Sequence, residues 1–193
     1  MKKLFASLWV VSVVTLLWVS PSLCASTTVN GVAFSKSVET KTEPLFLRGA
    51  SLFRWSMIFD VYVGAIYLPS NIPTNQWVAD IPKHLEICYL RDIPAEGFIE
   101  SSEEHLRKVL SLNEYQGIEP RLGELFGLFR DVKEGDRYAL TYQPGIGTTL
   151  SLNGEILGTI SGHDFAVAYF GIWLGEQPLQ KKFRDELLGA TGS

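Results

Sequence analysis

Between Leu45 and Leu68 the chain reads as extended backbone with two unlike faces. Trp55, Met57, Phe59, Val61, Val63, Ala65 and Tyr67 recur at period two and are uniformly apolar, whereas Arg54, Ser56, Ile58, Asp60, Tyr62, Gly64, Ile66 and Leu68 form a mixed set. Side chains alternate across a strand, so this pattern predicts a sheet packed on its core by the apolar side. Gly49 and Gly64 are read as bends or bulges in it. Further strands are predicted over His84–Arg91 and Arg137–Gln143. Two Asn-Gly pairs, 30–31 and 153–154, separate strand-like runs: Thr27–Val29 from Val32–Phe34, and Thr148–Leu152 from Glu155–Ile160. Asn-Gly tolerates positive φ at both central positions of a two-residue turn, so each predicts a β-hairpin.

The period then changes. Over Pro94–Leu112 the apolar residues Phe98, Ile99, Leu106, Val109 and Leu110 lie along one stripe, as do Leu122, Leu125, Phe126 and Phe129 over Glu119–Val132. Both are predicted helices. Ser161-Gly162-His163-Asp164 has the form of a capping box in front of Phe165, Ala168, Tyr169, Ile172 and Trp173, with Gly175 ending the helix. Pro178 opens a last helix with Leu179, Phe183 and Leu187 inward, closed by Gly189. No repeat or linker interrupts the run, which predicts one domain over residues 26–193.

The first 25 residues stand apart. Lys2 and Lys3 precede an uncharged stretch from Leu4 to Val19, followed by Pro21 and the small residue Ala25. This is the form of a secretory signal peptide cleaved after Ala25, because the stretch falls short of the ~20 apolar residues a spanning helix needs. Leu23 is not the small residue that lipoprotein processing requires before Cys24. A periplasmic or secreted protein without a membrane span is therefore expected. Loss of Lys2 and Lys3 from the 17 basic residues leaves 15 against 21 acidic ones, a formal charge near −6. Nucleic acid is excluded as a partner, since phosphate binding needs a basic stripe. Cys88 would then be the single cysteine, so no internal disulfide holds the fold, and its apolar neighbours mark it as a core residue.

The chemistry-bearing residues are few. His84, His105 and His163 fall in separate segments without ligand spacing, so no metal and no cofactor are expected. Pro144-Gly145-Ile146-Gly147 precedes a strand and reads as a turn, not a phosphate loop. No Ser, His and Asp set assembles into a nucleophilic triad. Arg54 remains: flanked by Phe53 and Trp55, its guanidinium needs a carboxylate, a backbone carbonyl or a ligand to offset desolvation. Asp60 is a structural partner for it if the strand bends. Trp55, Tyr62, Tyr67, Tyr169 and Trp173 are read as core residues or as the lining of a cavity.

The stretch Gly49-Ala50-Ser51-Leu52-Phe53-Arg54, followed by Phe59-Asp60-Val61-Tyr62-Val63-Gly64-Ala65-Ile66-Tyr67-Leu68, resembles the strand pair of chalcone isomerase-like proteins. Asp164-Phe165-Ala166, Ile172-Trp173-Leu174-Gly175, Pro178 and Glu186-Leu187-Leu188-Gly189 are similar to the closing helices of their exported bacterial branch. The resemblance implies an α+β open-faced sandwich, a large antiparallel sheet with a layer of helices on one side and a cleft between. In plant chalcone isomerases an arginine on the strand works with a Tyr and an Asn seven residues apart on a helix. Arg54 matches the arginine, but no tyrosine here has an asparagine seven residues on. The fatty-acid-binding members of the fold ask only for a cation and an apolar cavity. The resemblance thus implies a non-catalytic protein that binds a small apolar carboxylate such as a fatty acid, with Arg54, Tyr62 and Tyr67 as its ligand-binding residues. An isomerase of the chalcone-flavanone type and an exported partner-binding protein are the alternatives.

Overall fold

The computed structural model describes residues 26–56 and 58–189. The expected leader, residues 1–25, and Met57 of the alternating run lie outside them. Seven strands form one antiparallel sheet in sequence order: β3 (Ser37–Val38), β4 (Leu45–Trp55), β5 (Phe59–Leu68), β6 (Lys83–Tyr89), β7 (Arg137–Gln143), β8 (Gly147–Leu152) and β9 (Glu155–Ile160). A separate hairpin, β1 (Ser26–Val29) with β2 (Val32–Ser35), covers part of one face. Helices α1 (Ala95–Val109) and α2 (Leu112–Phe126) are inserted between β6 and β7, and α3 (His163–Leu174) and α4 (Lys181–Leu187) follow β9. The α+β class is as the resemblance implied. Both Asn-Gly turns form, with φ of 47° and 80° at Asn30 and Gly31 and of 51° and 85° at Asn153 and Gly154.

The run 45–68 is two strands. Ser56, at φ 51°, turns the chain so that β4 and β5 pair antiparallel. The helices pack on the side predicted to be mixed, where Tyr62, Ile66 and Leu68 join the main core with Phe53, Leu85 and Ile87. Val63, Ala65 and Tyr67 join Phe34, Leu45 and Cys88 in a second, smaller core under the β1–β2 hairpin. Both faces of β5 are buried, and a strand buried on both sides does not declare by period two which side carries the helices.

The helix signals were partly misplaced. The capping box closes at the start of α2, eight residues before the predicted helix: Glu114 N donates to Ser111 Oγ at 3.3 Å and Ser111 N donates to Glu114 Oε2 at 2.8 Å. At α3 the N-cap is Gly162, at φ 102°, with no side-chain cap. Asp164 instead accepts both guanidinium donors of Arg121, at 2.8 and 2.6 Å, and this pairing holds its carboxyl at about 2. The bidentate arginine is the largest influence on that carboxylate, and the backbone N–H groups of Asp164 and Phe165 add to it. Glycine explains how α4 docks. A Cβ at Gly64 would stand 2.7 Å from the Phe183 ring, and one at Gly49 would meet the carbonyl oxygens of Glu186 and Leu187. Gly49 does sit at a register shift, but Gly64 pairs regularly with Ser51 and Ile87, so it serves close approach and not a bend. Among the described residues no helix is long and apolar enough to cross a membrane.

Candidate functional site

Alternation along four strands builds the floor of a cleft. Phe53 and Tyr62 stand opposite each other in register and stack at 4.6 Å with planes 6° apart. On β6 the period-two set Leu85, Ile87 and Tyr89 continues the floor, and Tyr138 and Leu140 do the same on β7. Phe98 of α1 and Tyr169, Ile172 and Trp173 of α3 form the opposing wall. Between them lies a cavity of about 410 Å³, within the ~300–1,000 Å³ of small-molecule sites. A smaller recess of about 240 Å³ adjoins it, sharing Trp55, Ser101, Glu104 and Leu179, with His105 and Lys108 in its wall.

Most of the polar atoms in the depth are paired. Trp173 Nε1 donates to Tyr62 Oη at 3.0 Å, Ser102 Oγ and Tyr169 Oη lie 3.1 Å apart, and Tyr138 Oη donates to the Arg130 carbonyl at 3.0 Å while accepting its N–H at 2.8 Å. Burial raises the Tyr62, Tyr89 and Tyr169 hydroxyls well above the ordinary phenol range, with the Trp173 bond a smaller opposing effect at Tyr62. These phenols stay protonated at neutral pH, so the interior offers neutral hydrogen-bonding groups and no general base of their making. The charged residues of the lining are Arg91, Glu100 and Glu104, all exposed.

Of the three residues expected to meet a ligand, Tyr62 lines the cavity. Arg54 faces away: its Nε donates to Asp60 Oδ1 at 2.6 Å, with the two side chains 45% and 39% exposed. A register shift after Phe53 sets Arg54 opposite Asp60, while Phe53, Trp55 and Val61 turn to the cavity. Tyr67 lies on the other face of the sheet, fully buried, its ring against His84 and its hydroxyl without a hydrogen-bond partner among the described residues. His84 Nδ1 lies 2.8 Å from Thr141 Oγ1, and burial lowers its imidazole to about 4. His163 Nε2 is 2.9 Å from the Val78 carbonyl, far along the chain from either. Arg91 was missed, although the predicted strand His84–Arg91 carried the signal: it extends the set Leu85, Ile87, Tyr89 by one more step of two.

A family profile described as chalcone isomerase-like matches residues 26–189. Among solved structures, the chain is similar to an Arabidopsis thaliana fatty-acid binding protein, with a TM-score of 0.68, 18% sequence identity, and coverage of 86% of this chain and 97% of that one. No curated protein sequence matches the chain.

Proposed function

The chain belongs to the chalcone isomerase-like family, and on that premise we propose that it is an exported, non-catalytic member that holds a small apolar carboxylate such as a fatty acid between its sheet and its helices. The observation that carries this reading is the cavity of about 410 Å³, lined mainly by aromatic and aliphatic side chains, whose deep polar groups are mostly paired within the protein and whose tyrosines are held neutral. The fatty-acid binding activity named for the Arabidopsis neighbour supports the ligand class. The charged start at Lys2 and Lys3 and the short apolar stretch before Ala25 support export, which N-terminal sequencing of the fractionated protein tests; intact Met1 in the membrane fraction would contradict it.

Native mass spectrometry of the purified protein tests the binding reading, with a retained acyl ligand as the expected result. Thermal melts with added long-chain fatty acid check it independently. A ligand at a hundred times its Kd stabilises by about 2.7 kcal/mol, which raises the Tm of a domain this size by roughly 5–10 °C. No retained ligand together with no rise in Tm would overturn the proposal.

A further inference from the structure

We propose that Arg91, at the mouth of the cleft, takes the anionic head of the ligand while the apolar part lies inward; the inference rests on the binding reading above. Three observations converge on this residue. Arg91 lines the cavity and is its one cationic lining residue. Among the described residues it is also the arginine whose guanidinium makes neither an ion pair nor a hydrogen bond. Arg48 donates to the Ser70 and Ile72 carbonyls, Arg54 is taken by Asp60, and Arg107, Arg121, Arg130, Arg137 and Arg184 each have a carboxylate. The guanidinium lies over the Phe59 ring, with its Cζ 5.8 Å from the ring centre, which leaves the donor edge of the fork free.

The orientation follows from the distribution of polar groups. In the depth, Tyr62, Trp173, Ser102 and Tyr169 are engaged with one another, so a charged head placed there would lose its hydration with little in return. At the mouth, Glu100 and Glu104 of α1 also face the cavity. They disfavour an anion on their side and confine it to the side of Arg91, where a planar guanidinium pairs with a carboxylate through two parallel hydrogen bonds. The head is thus at the rim and the chain runs inward over Tyr89 toward Tyr62.

Fluorescence titration with cis-parinaric acid and with its methyl ester separates charge recognition from cavity filling. In Arg91→Ala the acid is expected to bind roughly 10- to 100-fold more weakly, the worth of a hydrogen-bonded charge, while ester binding stays at its wild-type value. Arg54→Ala is expected to bind the acid as wild type does, and Arg91→Lys to recover part of the loss. Because the Arg91 guanidinium makes no hydrogen bond or ion pair among the described residues and only an exposed contact with the Phe59 ring, its variants are expected to melt within a few degrees of wild type, which checks that they fold. Wild-type affinity for the acid in Arg91→Ala, or equal weakening of acid and ester, would overturn the assignment while leaving the cleft as a binding site. Failure of both probes to bind wild type would overturn the cleft reading and this inference together.

Discussion

Lys83 is completely buried, its Nζ donating to the Ala79 carbonyl at 2.9 Å and lying 4.7 Å from the centre of the Tyr142 ring. Burial lowers its amine to about 8, and the nearby Asp80 only partly opposes that shift. The amine of the unfolded chain holds its proton to ~10.4, so between these two values the folded state has released a proton that the unfolded state keeps. Stability contributed by this group therefore rises with pH across that window and is lowest below it. Melts of wild type and Lys83→Met from pH 7 to pH 10 should show wild type gaining on the variant above about pH 8; parallel curves would show that the amine is not desolvated. Side-chain parity accounts for what the sequence disclosed at this scale. Tyr62 was identified as a site residue and does line the cavity, whereas Arg54 was read on an unbroken strand. The register shift beside it turns Arg54 toward Asp60, and no periodicity argument contains a shift that depends on the partner strand.

Strands and helices were easier to find than to orient. The Asn-Gly hairpins and β7 fall where the alternation put them, because turn chemistry and period two are both local. The start of α2 was missed because Ser111 and Glu114 precede the apolar stripe on which the helix was recognised. Docking of α4 was invisible, since it depends on two glycines of β4 and β5 meeting a helix more than 110 residues later. The contact makes a direct prediction. Gly64→Ala places a methyl 2.7 Å from the Phe183 ring and should cost about 1–3 kcal/mol as an overpacked core does. Denaturant unfolding measures it, and combination with Phe183→Leu should return much of the loss. Additive effects of the two changes would mean that ring and strand are not in contact.

Seven antiparallel strands in sequence order need no crossover, yet the core that joins sheet to helices draws on both ends of the chain. Phe183 packs edge-on to Phe53 and Tyr62, at 5.8 and 5.6 Å, and Ser51 Oγ donates to Glu186 Oε2 at 2.6 Å. A protein ending after Gln180 should keep its β-sheet circular dichroism but bind a hydrophobic dye and melt earlier than the full chain; unchanged melting would show that α4 is dispensable. The same contacts set an order in time. α4 is synthesised long after β4 and β5, so the groove over Gly49 and Gly64 stays unfilled until that helix is free to dock. A chain caught in that interval exposes the stripe that α4 covers, and misassembly is expected to begin there.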